Sequence, residues 1–208
     1  MIGIIGVGNI GSIIAKRLVE SGDFMPQEIV LANRSFKKLQ SFSKDGYRTA
    51  TNKEIIDMCE TIFLCVKPQD SERLFSEITQ ADRKILISTM TAVSIEKIIQ
   101  RTGCRSVVRI MPNIPAMIGK GVIGAARSEQ VDEDAWKRCC KILSSLGQVI
   151  EVEEEHLAAV TALSGSAPAF VFVIIEALID AGIRMGLSYE TSRLMVLETI
   201  IGSAELLL

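Results

Sequence analysis

The chain of 208 residues is 48% hydrophobic, carries a formal net charge of −2 and has a positive mean hydropathy, so it can fill one sizeable core, or one domain with a smaller helical appendage. Disorder is not expected. Its charges form no basic clusters and do not interleave with aromatic residues, which removes the electrostatic footing for a nucleic-acid or acidic-membrane surface and leaves a small molecule or a second copy of the chain as the expected partner.

The first apolar run, Ile2 to Ile5, passes directly into Gly6-Val7-Gly8-Asn9-Ile10-Gly11 and an amphipathic segment from Ile10 to Ser21. A GxGxxG that follows a strand and opens a helix is the context in which the motif signals a dinucleotide site. Gly6 permits the tight turn, Gly8 lets backbone approach a pyrophosphate, and Gly11 allows close helix-to-strand packing. The alternative is a glycine-rich turn without function. Only five residues precede this motif, which leaves no room for a secretory leader, so a cytoplasmic location is expected.

Further strand-like runs follow at Ile29 to Ala32, Thr61 to Val66, Lys84 to Ser88, Val107 to Ile110 and Gln148 to Val152. Helical patterns lie between them at Ser35 to Ser43, Asp70 to Thr79, Ser94 to Gln100 and Asp132 to Leu146. This alternation predicts a Rossmann-type, doubly wound, mostly parallel sheet covered on both faces, occupying residues 1–152. The second run ends in Asn33-Arg34-Ser35 rather than in the acid that accepts ribose hydroxyls for NAD, and these amide, guanidinium and hydroxyl donors suit a 2′-phosphate. NADPH is therefore favoured, with NADH possible; the alternative for Arg34 is a solvated charge at the start of the next helix. Cys65-Val66-Lys67-Pro68-Gln69 stands at a strand's carboxyl end, where such folds bind ligands, although Lys67 reads equally as a solvated loop lysine.

Arg109-Ile110-Met111-Pro112-Asn113-Ile114-Pro115 is an irregular segment held by two prolines, in which Asn113 offers both a donor and an acceptor; an ordinary rigid loop would look the same. The five cysteines (Cys59, Cys65, Cys104, Cys139, Cys140) include no CxxC, and His156 is the only histidine, so neither a zinc site nor a disulfide framework is expected and His156 is given no role.

From residue 153 to 208 the sequence reads as helix alone: Glu154 to Leu163, Ala167 to Met185 and Ser188 to Leu208. The small-residue turn Ser164-Gly165-Ser166 enters the middle helix, with Pro168 in its first turn, and suits either a substrate pocket or close packing. That helix is apolar all round between Ala169 and Ile175, and its run to Ile179 is broken by Glu176 and too short for a bilayer, which needs about 20 residues. Such a surface predicts self-association. The chain stops in mid-helix at Leu206-Leu207-Leu208 with no capping residue, which reads as a truncated or unfinished end.

Taken together, Gly6-Val7-Gly8-Asn9-Ile10, Val66-Lys67-Pro68-Gln69, Arg109-Ile110-Met111-Pro112-Asn113 and Ala162-Leu163-Ser164-Gly165-Ser166 resemble the pyrroline-5-carboxylate reductase family in order and spacing. Ala177 to Gly182 and Gly186-Leu187 continue the match. The resemblance implies an N-terminal NAD(P)H-binding Rossmann domain and a C-terminal helical domain that interlocks with its copy in a dimer or larger assembly. By position it implies that Asn33, Arg34 and Ser35 bind the adenosine end and that Asn52 helps to hold it. Val66, Lys67, Pro68 and Asn113 would flank the nicotinamide, and Ser164, Gly165 and Ser166 the substrate. The implied reaction is hydride transfer to the imine carbon of pyrroline-5-carboxylate, giving L-proline; no catalytic side chain is assigned.

The chain also departs from the family pattern. Thr91-Ala92 stands where the family usually has Ala-Gly, and Ala167 where it has Gly, each adding atoms where backbone nears a ligand. A family segment with Pro-Gly-Gly and a threonine, which holds the substrate carboxylate and imine nitrogen, has no counterpart up to Leu208. Unless the natural protein continues past Leu208, this 208-residue form is therefore expected to hold cofactor but to reduce poorly or not at all. A non-catalytic nucleotide-binding paralogue of the competence-operon kind is one rival reading. A β-hydroxyacid dehydrogenase is a weaker one, since the Gly182 to Leu194 stretch lacks the lysine and asparagine it requires.

Overall fold

A computed structural model describes residues 1–79 and 81–208. Contacts along the chain divide it into two compact units, Met1–Gly165 and Ser166–Leu208. The first is the α/β unit. Its strands are β1 (Ile2–Ile5), β2 (Ile29–Ala32), β3 (Arg48–Thr49), β4 (Thr61–Leu64), β5 (Ile85–Ser88), β6 (Ser106–Pro112), β7 (Gly121–Arg127) and β8 (Gly147–Glu151), and they form one eight-stranded sheet in the order β3-β2-β1-β4-β5-β6-β7-β8. Pairing is parallel from β3 to β6, β7 runs antiparallel to β6, and β8 lies parallel to β7.

The helices of this unit are α1 (Asn9–Glu20), α2 (Phe36–Lys44), α3 (Asn52–Met58), α4 (Ser71–Glu77), α5 (Ile95–Thr102), α6 (Glu133–Leu143) and α7 (Leu157–Val160). Strands β1 and β2 are buried at every position, which is why they read as unbroken apolar runs rather than alternating ones. Alternate residues serve opposite faces of the sheet. Ile2 and Ile4 of β1 join Ile14 and Leu18 of α1 in one core cluster, while Ile5 joins Ile55, Leu64 and Phe75 in the other. α3 lies close to β1 because Gly3 leaves space there: a Cβ on it would meet Ile55 Cγ2 at 2.5 Å.

The alternating pattern correctly forecasts an α/β sheet followed by helices, but two strands and a helix escape it. β3 is only two residues long, and β7 has just two β-branched residues, Val122 and Ile123, among Gly121, Gly124, Ala125 and Ala126. α3 has seven residues, yet its start is marked by a capping box, since Thr51 Oγ1 accepts from the Glu54 amide at 3.3 Å and Glu54 Oε2 accepts from the Thr51 amide at 2.7 Å.

The second unit is a helical hairpin of α8 (Ala167–Arg184) and α9 (Tyr189–Glu205). The two helices cross closely at small residues: a Cβ on Gly182 would meet Ser192 Oγ at 2.5 Å. Gly186, at φ +96°, makes the turn, and Ser188 caps α9 by accepting from the Thr191 amide. Phe170, Phe172, Val173 and Ile174 are exposed on α8. The apolar run from Ala167 to Ile179 lies within α8, which has 18 residues. The stretch Glu154–Arg184, bent at Ser166, contains an 18-residue window with a mean hydropathy of 2.0 and is long and apolar enough to cross a membrane by length and composition only. Glu176 interrupts the composition but not the helix. A helix that a second copy covers passes the same test.

Candidate cofactor cleft

The parallel strands end together at the edge where β1 lies between β2 and β4. In a doubly wound sheet this is the point at which the chain's direction of winding reverses and a crevice must open. A cleft of about 900 Å³ occupies it. Of the sequence-predicted cofactor residues, Gly6, Gly8, Asn33, Arg34, Ser35, Asn52, Val66 and Lys67 line this cleft, whereas Asn9, Ile10, Pro68 and Asn113 do not.

The glycine turn divides its labour as steric reasoning requires. Gly6 has φ +99°, and a Cβ there would sit 2.6 Å from the Cys65 carbonyl oxygen; one on Gly11 would sit 2.1 Å from the Gly6 carbonyl oxygen. Both glycines are demanded by the protein's own backbone. Around Gly8 nothing lies within 4 Å of the Cβ position, so that glycine opens on the cleft instead. Asn9 and Ile10 begin α1, whose N-terminus has no side-chain cap and no acid in its first turn, so its amides and the positive end of its dipole are open to an anion.

Asn33 is spent on the fold. Its Oδ1 accepts from the Val7 amide at 3.1 Å and its Nδ2 donates to the Ser35 carbonyl at 3.2 Å, which ties the end of β2 to the glycine turn. Asn52 Nδ2 donates to Glu77 Oε2 at 2.7 Å, and the other oxygen of that carboxylate takes Arg73 Nε at 3.2 Å. Arg34 is exposed and meets Asp70 only at 3.9 Å, a contact too solvated to hold it. Lys67 has no ion-pair partner among the described residues. Lys38, Thr51, Arg73 and Glu77 also line the cleft and were not anticipated. Thr51 and Glu54 could have been found from the capping-box spacing; the others lie on solvent faces of α2 and α4 and carry no local signal. Hydrogen bonds from Thr51, backbone first, hold the Glu54 carboxyl below its ordinary range. Beside the cleft, burial pushes the Cys65 thiol up to about 12 against a hydrogen bond with Thr89, so it is protonated at neutral pH.

The Arg109 to Pro115 segment lies elsewhere in the same unit. The Arg109 guanidinium is paired with Glu154 Oε1, which also accepts from the Ile95 amide at 2.7 Å, so this arginine joins β6 to the start of α5. Asn113 follows β6 and is buried. Its Oδ1 accepts from the Val122 amide at 2.9 Å and its Nδ2 donates to the Ser164 carbonyl at 3.1 Å. Ser164 and Gly165 stand in a π-helical turn, Thr161–Gly165, while Ser166 belongs to the second unit and precedes α8. His156 is exposed, 3.8 Å from Glu155. Among the described residues no group of three or more His, Cys, Asp or Glu side chains is placed to hold a metal ion.

Residues 1–92 match the family model described as NADP oxidoreductase coenzyme F420-dependent, and residues 154–208 match the one described as pyrroline-5-carboxylate reductase dimerisation. The pyrroline-5-carboxylate reductase of Synechocystis is 33% identical over 210 residues, 99% of this chain and 78% of that protein, and that of Aquifex aeolicus is 34% identical over 208 residues, 99% and 77%. Among solved structures, the pyrroline-5-carboxylate reductase of Coxiella burnetii superposes with a TM-score of 0.89 at 32% identity, covering 98% of this chain and 78% of that one. The Plasmodium falciparum pyrroline carboxylate reductase with NADP bound gives 0.87 at 30%, covering 98% and 77%. With a similarity of this depth running from the glycine turn to the last helix, the chain belongs to the pyrroline-5-carboxylate reductase family.

Proposed function

We propose that this chain is an NADPH-dependent reductase that converts 1-pyrroline-5-carboxylate to L-proline by hydride transfer to the cyclic imine. The observation that carries the reading is the cleft where the sheet changes winding direction: Gly8 opens on it, and no acid stands at the end of β2. Its residues fit a dinucleotide phosphate. The uncapped start of α1 suits the pyrophosphate, and Arg34, Ser35 and Lys38 offer charge and donors for a 2′-phosphate. NADH would bind more weakly, lacking that phosphate.

The bound cofactor supplies the hydride. The chain's part is to hold and orient it: Asn33 fixes the glycine turn against the end of β2, Glu77 fixes Asn52, and Val66 and Lys67 form the cleft wall at the end of β4. Proton supply to the imine nitrogen is assigned to none of these side chains. The exposed apolar faces of α8 and α9 would be covered by a second copy, and the enzyme would work as a homodimer or larger homo-oligomer in the cytoplasm.

The test is oxidation of NADPH with pyrroline-5-carboxylate at neutral pH, followed by loss of reduced-nicotinamide absorbance, with NADPH binding measured in parallel. Turnover yielding proline supports the reading. Tight NADPH binding without turnover would favour a second reading, a nucleotide-binding regulatory paralogue of the competence-operon kind. The feature that speaks for it is Ala92, held at φ +60° just beyond β5. The comparisons give no support to an inactive chain.

A further inference from the structure

The turn Thr161–Gly165 is a π-helical widening between α7 and the start of α8, and such widenings leave carbonyls without their usual helical donors. The Ser164 carbonyl is the critical one. In a regular helix its donor would be the amide of residue 168, which is a proline and has no N–H. The neighbouring hydroxyls do not help, because Thr161 Oγ1 donates to the Leu157 carbonyl at 2.8 Å and Ser164 Oγ to the Val160 carbonyl at 2.9 Å. The donor comes instead from a side chain 51 residues earlier, Asn113 Nδ2, at 3.1 Å.

Asn113 is well placed to lend that group. It is buried to 7% exposure, and its Oδ1 is fixed by the Val122 amide of β7, so the amide cannot rotate without losing one bond or the other. Its own carbonyl accepts from Ala116 and starts the short helical turn Ile114–Ile118. Both arms of its side chain are thus committed inside the protein, and it does not line the cofactor cleft.

We infer that Asn113 is a positioning residue: it replaces the helical donor that Pro168 lacks and fixes the Ala162 to Gly165 backbone, and it is not a ligand of the cofactor. Its consequence for catalysis rests on the proposed reductase reading, in which this turn stands on the substrate side. Holding the turn would then set how the imine is bound and leave NADPH affinity alone.

The test uses Asn113→Asp, which keeps the acceptor for Val122 and removes the donor to Ser164, and Pro168→Ala, which restores a backbone donor at residue 168. Amide hydrogen exchange is measured on the free chain. Asn113→Asp is expected to speed exchange at least tenfold over residues 161–167 while the β5 and β6 amides stay protected, and Pro168→Ala is expected to reduce that effect in the double variant. Equal exchange in the wild type and Asn113→Asp, or strictly additive effects in the double variant, overturns the inference. Should Asn113→Asp fold poorly, Pro168→Ala alone decides, since it is expected to slow exchange across the same turn. In activity, kcat/KM for pyrroline-5-carboxylate falls about tenfold with NADPH Kd changed less than twofold; a matching loss of NADPH affinity makes Asn113 a cofactor ligand and overturns it. If the wild type does not reduce the imine at all, the reductase reading fails while hydrogen exchange still decides the anchor.

Discussion

At the scale of single residues, the cleft separates side chains that serve the fold from those left for a ligand. Asn33 and Asn113 have the donor-and-acceptor chemistry of ligand-binding residues, yet both spend it on backbone groups. Arg34 does not, and as an exposed guanidinium at the mouth of the cleft it is the side chain on which cofactor choice should turn. Arg34→Ala is expected to weaken NADPH at least tenfold and to leave NADH within about twofold, the loss of one charge-assisted contact being worth roughly 1.5–3 kcal/mol. Titration of both cofactors by fluorescence checks this, and equal losses for the two would remove Arg34 from the phosphate site. Ala92 is the one non-glycine residue with positive φ among those described, at +60°. Relief of the left-handed strain outweighs glycine's extra chain entropy there, so Ala92→Gly is expected to raise stability by about 0.5–1 kcal/mol in urea unfolding. A lower midpoint would show that the alanine is not strained.

Among the elements, caps decide where helices begin more reliably than apolar periodicity does. Ser94 caps α5, Thr51 caps α3 and Asp132 caps α6, the last by accepting from the Ala135 amide at 2.7 Å. Asp132→Ala should cost about 1 kcal/mol, because α6 carries Trp136 and Cys139 into the core and has no other side chain to satisfy that amide. Urea unfolding of the variant measures it, and an unchanged midpoint would mean that solvent replaces the cap without penalty. The same logic explains what sequence reading missed. α3 was overlooked although Thr51 and Glu54 announce it, since a seven-residue helix shows too few turns for its period to register. β7 gives only a weak strand signal, because Val122 and Ile123 are a short apolar pair among glycine and alanine, which suit a strand only when β6 and β8 flank it.

For the whole molecule, the buried thiols form a shared pH liability. Burial pushes Cys65 up to about 12 and Cys104 and Cys139 up to about 11, well above the ordinary thiol value near 9. A thiol whose pKa is raised on folding keeps the folded state proton-rich relative to the unfolded chain. Its contribution is fully present below pH 9 and is lost as pH rises from about 9 through 11 to 12. Tm is therefore expected to hold between pH 7 and about 8.5 and to fall steeply above 9, and Cys139→Ala should make the fall shallower. An identical alkaline slope in that variant would place the liability elsewhere. In the second unit Phe170, Phe172, Val173 and Ile174 of α8 are exposed, so if the proposed homo-oligomer forms, Tm should rise with protein concentration.

The sequence by itself determined the alternation of strands and helices apart from β3, α3 and β7, together with the glycine turn and the family motifs. Strands buried on both faces must be continuous apolar runs, and backbone clashes of 2.6 and 2.1 Å permit nothing but glycine at Gly6 and Gly11. Only the tertiary structure decided that β7 joins the sheet antiparallel, that Arg109 is held by Glu154, and that Asn33 and Asn113 brace the backbone. Their partners lie 26 and 51 residues away, and a hydrogen bond over that separation leaves no trace in local spacing because it exists only once the chain has closed the loop between them.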